Sequence, residues 1–315
     1  MHYEALGDGQ PILMIHGLGC DSRLMLHCME PVFAAWPKVN GAAEAEGAQG
    51  SARAFQRIYV DLPGMGESRA PLNFARPERM LEVLEAFVEA RVKGPFLLAG
   101  ESFGGYLARG LLLKFRPRVD GLMLLCPMVS VWRRHLPETY VRFHDKGFLK
   151  GLSAEERRHF RAHTVIANEE TYRRYLADIE VGVRDSDHRF IRSMGHAYEF
   201  PFDVDAALAR EPFDKPGLFL CGRQDDRVGY QDIWDLIRYY PRASYSVLDA
   251  AGHQLQLEQP ELFQALVKNW LLRVAEYAEG ELVHGAIVPD EELKQESCGE
   301  ERATEQHDVK GRGGA

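Results

Sequence analysis

Ser102, His253 and the neighbouring carboxylates Asp225 and Asp226 are the residues of this chain whose types and order suit nucleophilic chemistry. Ser102 sits in Gly100-Glu101-Ser102-Phe103-Gly104, a G-x-S-x-G motif. The apolar run Pro95-Phe96-Leu97-Leu98-Ala99 precedes it, and the helix-like Tyr106-Leu107-Ala108-Arg109 follows. A serine on a turn between strand and helix is a nucleophile elbow. The turn is tight enough to exclude β-carbons two positions either side, and Gly100 and Gly104 have none. A base is available in Ala250-Ala251-Gly252-His253-Gln254, which follows the strand-like Ser244-Tyr245-Ser246-Val247-Leu248. A carboxylate to orient it is available in Cys221-Gly222-Arg223-Gln224-Asp225-Asp226, behind the apolar Gly217-Leu218-Phe219-Leu220. Serine, acid and histidine therefore come in that order, each on a loop leaving a strand, an order compatible with a catalytic triad. Near the start, Ile12-Leu13-Met14-Ile15 runs into His16-Gly17-Leu18-Gly19. A turn there can direct the Leu18 N–H, together with the Phe103 N–H, at an oxyanion developing beside Ser102.

Such residues need a scaffold that brings strand ends together. Short apolar runs at 12–15, 57–60, 96–99, 122–126, 218–221 and 245–248 read as strands. They alternate with helical patterns at 23–35, 77–92, 106–115, 231–239 and 260–277, the signature of a parallel α/β sheet. Pro77 and Pro260 stand where a first-turn proline is tolerated, with acidic residues just after them. Two stretches break the alternation. Residues 38–54 are rich in Gly, Ala and Glu and read as a flexible surface insertion. Residues 127–212 are helix-rich, carry many Arg, His and aromatic residues, and show no buried-strand run.

These motifs resemble the α/β-hydrolase fold superfamily, in its branch of serine esterases and C–C bond hydrolases. The resemblance rests on His16-Gly17-Leu18-Gly19, Asp61-Leu62-Pro63-Gly64-Met65-Gly66-Glu67-Ser68, Gly100-Glu101-Ser102-Phe103-Gly104, Gly222-Arg223-Gln224-Asp225 and Gly252-His253. It spans roughly residues 3–275 and implies a mostly parallel central β-sheet flanked by helices, an α/β fold, with a helical cap inserted after the sixth core strand. Core segments at 1–126 and 213–279 then enclose a cap at 127–212, and 280–315 forms an acidic, disordered tail. The resemblance implies Ser102, Asp225 and His253 as the triad, with Asp225 preferred to Asp226 because it lies three residues after Gly222. Leu18 and Phe103 supply the oxyanion hole. Asp61 and His16 are expected to shape loops, not to react. The implied activity is hydrolysis of a small to medium carboxylic ester through an acyl-enzyme. The rival activities are hydrolysis of a C–C bond in diketone-like acids, where Arg109, Arg133 and Arg134 are candidates to hold a carboxylate, and cleavage of an amide or lactone. A ligand-binding protein on the same fold, with little turnover, is the alternative from another class. Serine at position 102 weighs against epoxide hydrolases and haloalkane dehalogenases, which place an aspartate there. The fold itself says little about substrate.

Composition narrows the remaining classes. The 315 residues are 45% hydrophobic with 16 Phe and four Trp, ample for a large core. A net charge of -9, two thirds of it in the acidic stretch from Glu279 onward, argues against a nucleic-acid partner. No apolar run approaches the roughly 20 residues of a membrane helix. Five scattered cysteines, Cys20, Cys28, Cys126, Cys221 and Cys298, suit reduced thiols and a cytoplasmic setting better than a disulfide framework. The start shows no basic-then-apolar leader pattern. His159 and His163 are spaced as metal ligands on a helix, but a third ligand is lacking and Arg157, Arg158 and Arg161 surround them. No metal site is expected. Gly64 and Gly66 do not open a helix with G-x-G-x-x-G, so no dinucleotide and no other cofactor is expected. The expected partner is a small-molecule substrate with an apolar part.

Overall fold

The five-residue run Pro11 to Ile15 is entirely apolar, as are Phe96 to Ala99 and most of Val119–Leu125. Strands of that composition are stable only with both faces covered, as in a parallel sheet sandwiched between helices. The computed structural model describes residues 1–36, 53–138, 141–195 and 198–279, and it builds that sheet. Its seven strands are β1 (Tyr3–Leu6), β2 (Gln10–Ile15), β3 (Phe55–Val60), β4 (Phe96–Glu101), β5 (Val119–Leu125), β8 (Gly217–Gly222) and β9 (Ala243–Leu248). They run in the order β1-β3-β2-β4-β5-β8-β9. Every pairing is parallel except β1 with β3. Two two-residue strands, β6 (Phe143–His144) and β7 (Ile166–Ala167), pair separately.

The helices are α1 (Ser22–Ala34), α2 (Pro77–Arg91), α3 (Phe103–Phe115), α4 (Lys146–Gly151), α5 (Ala154–His163), α6 (Glu169–Tyr175), α7 (Val181–Asp185), α8 (His188–Ser193), α9 (Val204–Arg210), α10 (Gln231–Leu236), α11 (Leu255–Glu258) and α12 (Pro260–Glu279). Local chemistry sets several starts. The Asp21 carboxylate caps α1 by accepting the Arg23 N–H, Pro77 opens α2, and Ser153 with Glu156 forms a reciprocal capping box on α5. From α12, Trp270 is fully buried and its indole N–H reaches the Pro216 carbonyl at 3.1 Å, fastening the last helix to the start of β8.

All six expected strands form, each longer than its apolar run because pairing continues into flanking residues. The expected helix at 231–239 ends at Leu236 and continues as a 3-10 turn over Ile237–Tyr239. Strand β1 has no counterpart in the apolar pattern, since Glu4 and Ala5 are exposed and its order comes from the antiparallel bonds to β3. The long helical segment follows β5, the fifth strand of this sheet in chain order and not the sixth. It also contains the short β6–β7 pair, which is too brief to leave a pattern. Cys20, Cys28, Cys126 and Cys221 are buried free thiols. No helix among the described residues is long and apolar enough to cross a membrane. Most of the 38–54 insertion, the 280–315 tail, Tyr140 and Cys298 lie outside the described residues.

The elbow glycines have a physical test. A β-carbon on Gly100 would stand 2.4 Å from the Gly104 carbonyl oxygen, and one on Gly104 2.2 Å from that of Ile15. Both obstacles are backbone, so neither can rotate away. Gly100→Ala is expected to cost at least about 2 kcal/mol, the range for overpacking a rigid site. Gly151→Ala, where a β-carbon meets nothing within 4 Å, should be close to neutral. Urea midpoints of the two variants check this, and equal midpoints would contradict the packing argument.

Candidate active site

Strand β4 delivers Ser102 to the carboxyl edge of the sheet, and α3 begins at the next residue. Ser102 has φ 52° and ψ −117°, a left-handed backbone that a side-chain-bearing residue adopts only under constraint. The constraint is visible. Its N–H donates to the Leu125 carbonyl at 2.9 Å, while its carbonyl accepts from Tyr106 at 3.1 Å and Met128 at 3.0 Å. The other side-chain-bearing residues with positive φ among those described are Cys126 at the end of β5 and Ala250 after β9. Backbone strain therefore gathers around one end of the sheet, where the expected reactive residues lie.

His253 stands beside Ser102, its Nε2 3.0 Å from the serine Oγ. Its Nδ1 lies 2.9 Å from Asp225 Oδ2. Asp225 is fully buried, and its Oδ1 accepts the N–H groups of Arg227 at 2.9 Å and Val228 at 3.0 Å. Asp226 points elsewhere, to Arg142 at 3.1 Å and Arg227 at 3.6 Å, with its side chain 38% exposed. The acid and histidine loops touch through glycine. A β-carbon on Gly222 would lie 2.2 Å from the Gly252 carbonyl oxygen. Ser102, Asp225 and His253, some 150 residues apart at the extremes, are thus brought into one hydrogen-bonded line.

Phe103 is the first residue of α3, so its N–H has no intrahelical acceptor. The loop of Gly17 and Leu18 lies against the elbow, for a β-carbon on Gly17 would stand 3.1 Å from Ser102 Cβ. The Gly17 backbone and the start of α3 therefore border the serine. His16 holds this loop. Its Nδ1 is 2.7 Å from the Gly17 carbonyl and its Nε2 accepts the Leu62 N–H at 3.0 Å, which fixes a neutral tautomer. Burial lowers its pKa in agreement. Asp61 accepts the N–H groups of Ser22 and Glu67, both at 2.9 Å, and meets His2 Nδ1 at 2.9 Å. Burial opposes its charge, yet the Glu67 and Ser22 amides keep its pKa below the usual carboxylate value.

Two buried carboxyls near His253 have no counterpart in the sequence reading. Glu101, the variable residue of the elbow itself, places Oε1 3.4 Å from His253 Nε2. Burial lifts its pKa to about 7, with Asp225 adding to the rise and His253 and the Gly17 amide opposing it. Glu258 accepts the Gly252 N–H at 2.6 Å and the Val165 N–H, tying the histidine loop to the strand segment before α6. The only sequence signal for Glu101 is a charged residue inside a motif flanked by apolar neighbours. Glu258 leaves none, because its partners are backbone amides. For His253, burial opposes the charge, but Asp225 through charge and hydrogen bond, and Glu101 through charge, raise the pKa to about 9, with Arg227 countering them.

The segment between β5 and β8 lies against this end of the sheet. A narrow cleft beside His253 is lined by Arg142, His163, Val165, Gln224, Asp226 and Gly252 among others. Phe190 fills the space over Gly64, and Ile191 approaches Gly19. Phe148, Tyr172, Phe160 and Tyr175 form a chain of ring contacts inside the segment. Tyr198 meets Phe103 edge-on at 6.1 Å, and Trp132 and Phe143 are exposed. Of the arginines considered for a substrate carboxylate, Arg109 is buried in an ion pair with Asp205 of α9 and is directed away from that task. Arg133 is exposed, and Arg134 donates to the Arg227 carbonyl at 2.6 Å. Among the described residues the one cluster of three close metal-ligating types is Cys126, Asp225 and His253, and its imidazole is already engaged on both nitrogens.

Comparison with known proteins agrees with this architecture. The profile of the alpha/beta hydrolase family matches residues 12–266. A 2-hydroxy-6-oxononadienedioate/2-hydroxy-6-oxononatrienedioate hydrolase of Burkholderia vietnamiensis is 26% identical over 274 residues, covering 82% of this chain and 89% of its own. A 2-hydroxymuconate semialdehyde hydrolase of Pseudomonas putida is 28% identical over 279 residues, covering 84% and 88%. The crystal structure of an alpha/beta superfamily hydrolase from Oenococcus oeni superposes with a TM-score of 0.74 at 26% identity, covering 86% of this chain and 95% of that one. With the seven-stranded sheet and a profile match over most of the chain, the protein belongs to the alpha/beta hydrolase family.

Proposed function

We propose that the chain is a serine hydrolase that cleaves a small to medium carboxylic ester through an acyl-enzyme on Ser102. The observation that carries this reading is the unbroken line Ser102 Oγ, His253 Nε2, His253 Nδ1, Asp225 Oδ2, at 3.0 and 2.9 Å. His253 takes the serine proton as Oγ bonds to the substrate carbonyl carbon, and the carbonyl electron pair moves to oxygen. The N–H groups of Leu18 and Phe103 hold that oxyanion, each worth about 3 kcal/mol in sites of this type. Asp225 keeps the imidazole proton on Nδ1 and stabilises the imidazolium. The proton then passes from Nε2 to the leaving alkoxide, and water activated by His253 releases the acid. The segment 127–212 acts as a cap whose side chains wall the cleft, a reading supported by Arg142, His163 and Val165 beside His253. Substrate is a small molecule with an apolar part, and the reaction needs no cofactor.

A second reading has observations of its own. The Burkholderia relative is named as a hydrolase of 2-hydroxy-6-oxononadienedioate and the Pseudomonas relative as a hydrolase of 2-hydroxymuconate semialdehyde, and the Arg142 guanidinium, bonded to Asp226, borders the His253 cleft. In that case the bond broken is C–C and Arg142 meets the substrate carboxylate. One screen separates the two. Neutral p-nitrophenyl esters of increasing acyl length are compared with 2-hydroxy-6-oxo-dienoic acids, on the protein and on Arg142→Ala. The ester reading expects kcat/KM for a short or medium ester to exceed that for the dienoic acids at least about tenfold, with little change in Arg142→Ala. Dienoic acids turned over faster, with KM raised in Arg142→Ala, would establish the second reading instead. Turnover of neither class would favour a binding protein.

A further inference from the structure

We infer that Glu101 is a positioning residue that holds the His253 imidazolium from its Nε2 side, opposite Asp225. The inference rests on the proposed role of Ser102 and His253 and adds a second carboxylate to it. Glu101 ends β4 one residue before the serine. Its side chain is 2% exposed, and its Oε2 has no hydrogen-bond partner. Burial disfavours its charge and lifts its pKa to about 7, and His253 with the Gly17 amide opposes that rise. Gly17 accommodates it, since a β-carbon there would stand 2.1 Å from Oε2. The elbow thus retains an expensive group, with one cation-forming neighbour in contact.

The geometry decides which state of the histidine it favours. With Nδ1–H directed to Asp225, a neutral imidazole uses its Nε2 lone pair to accept from Ser102 Oγ, and Glu101 Oε1 at 3.4 Å faces a ring that carries no positive charge. Once the Ser102 proton has moved to Nε2, the same distance becomes an attraction. Glu101 therefore stabilises the state reached as the tetrahedral intermediate forms more than the resting one, which is the condition for accelerating the step. The other groups facing Glu101 are the Cys20 thiol after β2, Cys28 on α1, Cys126 after β5 and Asp225 after β8. Burial raises the pKa of all three thiols, so they stay neutral. Arg227 opposes the imidazolium from the acid loop. The arrangement has a consequence in the free enzyme, where Glu101 also helps to hold His253 protonated and pushes its pKa toward 9.

The sign of the pH effect follows. The base works when neutral, so kcat/KM rises with pH until His253 has lost its proton. Removing the Glu101 charge lowers the His253 pKa and moves that rise to lower pH. It also removes support for the imidazolium. Glu101→Gln should shift the acid limb of kcat/KM downward by about one pH unit and lower the high-pH plateau of kcat by up to about tenfold, because one pKa unit corresponds to a factor of ten. Glu101→Asp withdraws the charge by one methylene and should shift the limb the same way, less far, and it serves if the glutamine variant does not fold. An independent readout is the imidazole NMR titration of His253 in Ser102→Ala, compared with Ser102→Ala carrying Glu101→Gln. A lower His253 pKa in the double variant supports the inference. An unmoved limb and an unmoved NMR titration, even with reduced activity, would overturn it and leave Glu101 as packing. If Ser102→Ala itself retains full turnover, the proposed reaction fails first, and that result is distinct from a stationary limb in an enzyme that needs Ser102.

Discussion

Ser102→Ala should fold as the parent does and lose about five to six orders of magnitude in kcat on an activated ester, the loss seen when the nucleophile of a triad is removed. The magnitude follows from the role. Without Oγ no covalent intermediate forms, while the Leu18 and Phe103 amides remain and leave only their residual acceleration over water. Folding should survive because, among the described residues, the Ser102 hydroxyl bonds only to His253, whereas the backbone bonds to Leu125, Tyr106 and Met128 that shape the elbow do not involve it. A fluorophosphonate should add one label, on the peptide containing Ser102, and none to Ser102→Ala. Undiminished turnover in the variant, or a label elsewhere, would contradict the assignment.

Asp225→Asn should lower kcat by about four orders of magnitude, whereas Asp226→Asn should stay within several-fold of the parent. The carboxylates are adjacent in sequence and carry the same charge, so the difference is one of direction. Asp225 Oδ2 accepts the Nδ1 proton at 2.9 Å, and an amide nitrogen in its place would donate, forcing the proton onto Nε2 where it cannot accept from Ser102. Asp226 reaches Arg142 and Arg227 with over a third of its side chain exposed, a setting in which an ion pair contributes little. The check is kcat for both variants on one ester. A large loss confined to Asp226→Asn would exchange the two roles, and mild losses in both would place the acid on another strand.

Much of the architecture was legible because it rests on local rules. Apolar runs buried on both faces announced the parallel strands, first-turn prolines announced α2 and α12, and the elbow glycines announced a backbone approach that the Gly100 and Gly104 contacts explain. The position of Ser102, Asp225 and His253 on strand-end loops was likewise readable, since α/β topology gathers those loops at one end of the sheet. Strand β1 was not, because an exposed edge strand is defined by its partner β3 and not by its own pattern. Arg109 was a candidate for a substrate carboxylate by residue type, and only the packing of α9 against α3 supplies its partner Asp205.

What the sequence determined by itself is the order of reactive types and the elements that carry them, because propensity, periodicity and glycine sterics act within a few residues. What only the tertiary structure decided is the electrostatic setting. The hydrogen bond between Asp225 and His253 Nδ1, the Glu101 carboxyl against Nε2, and the Glu258 link between the histidine loop and Val165 each join residues far apart in the chain or on adjoining loops. Burial and distance set the energy of a charge, and neither quantity exists until the chain has folded.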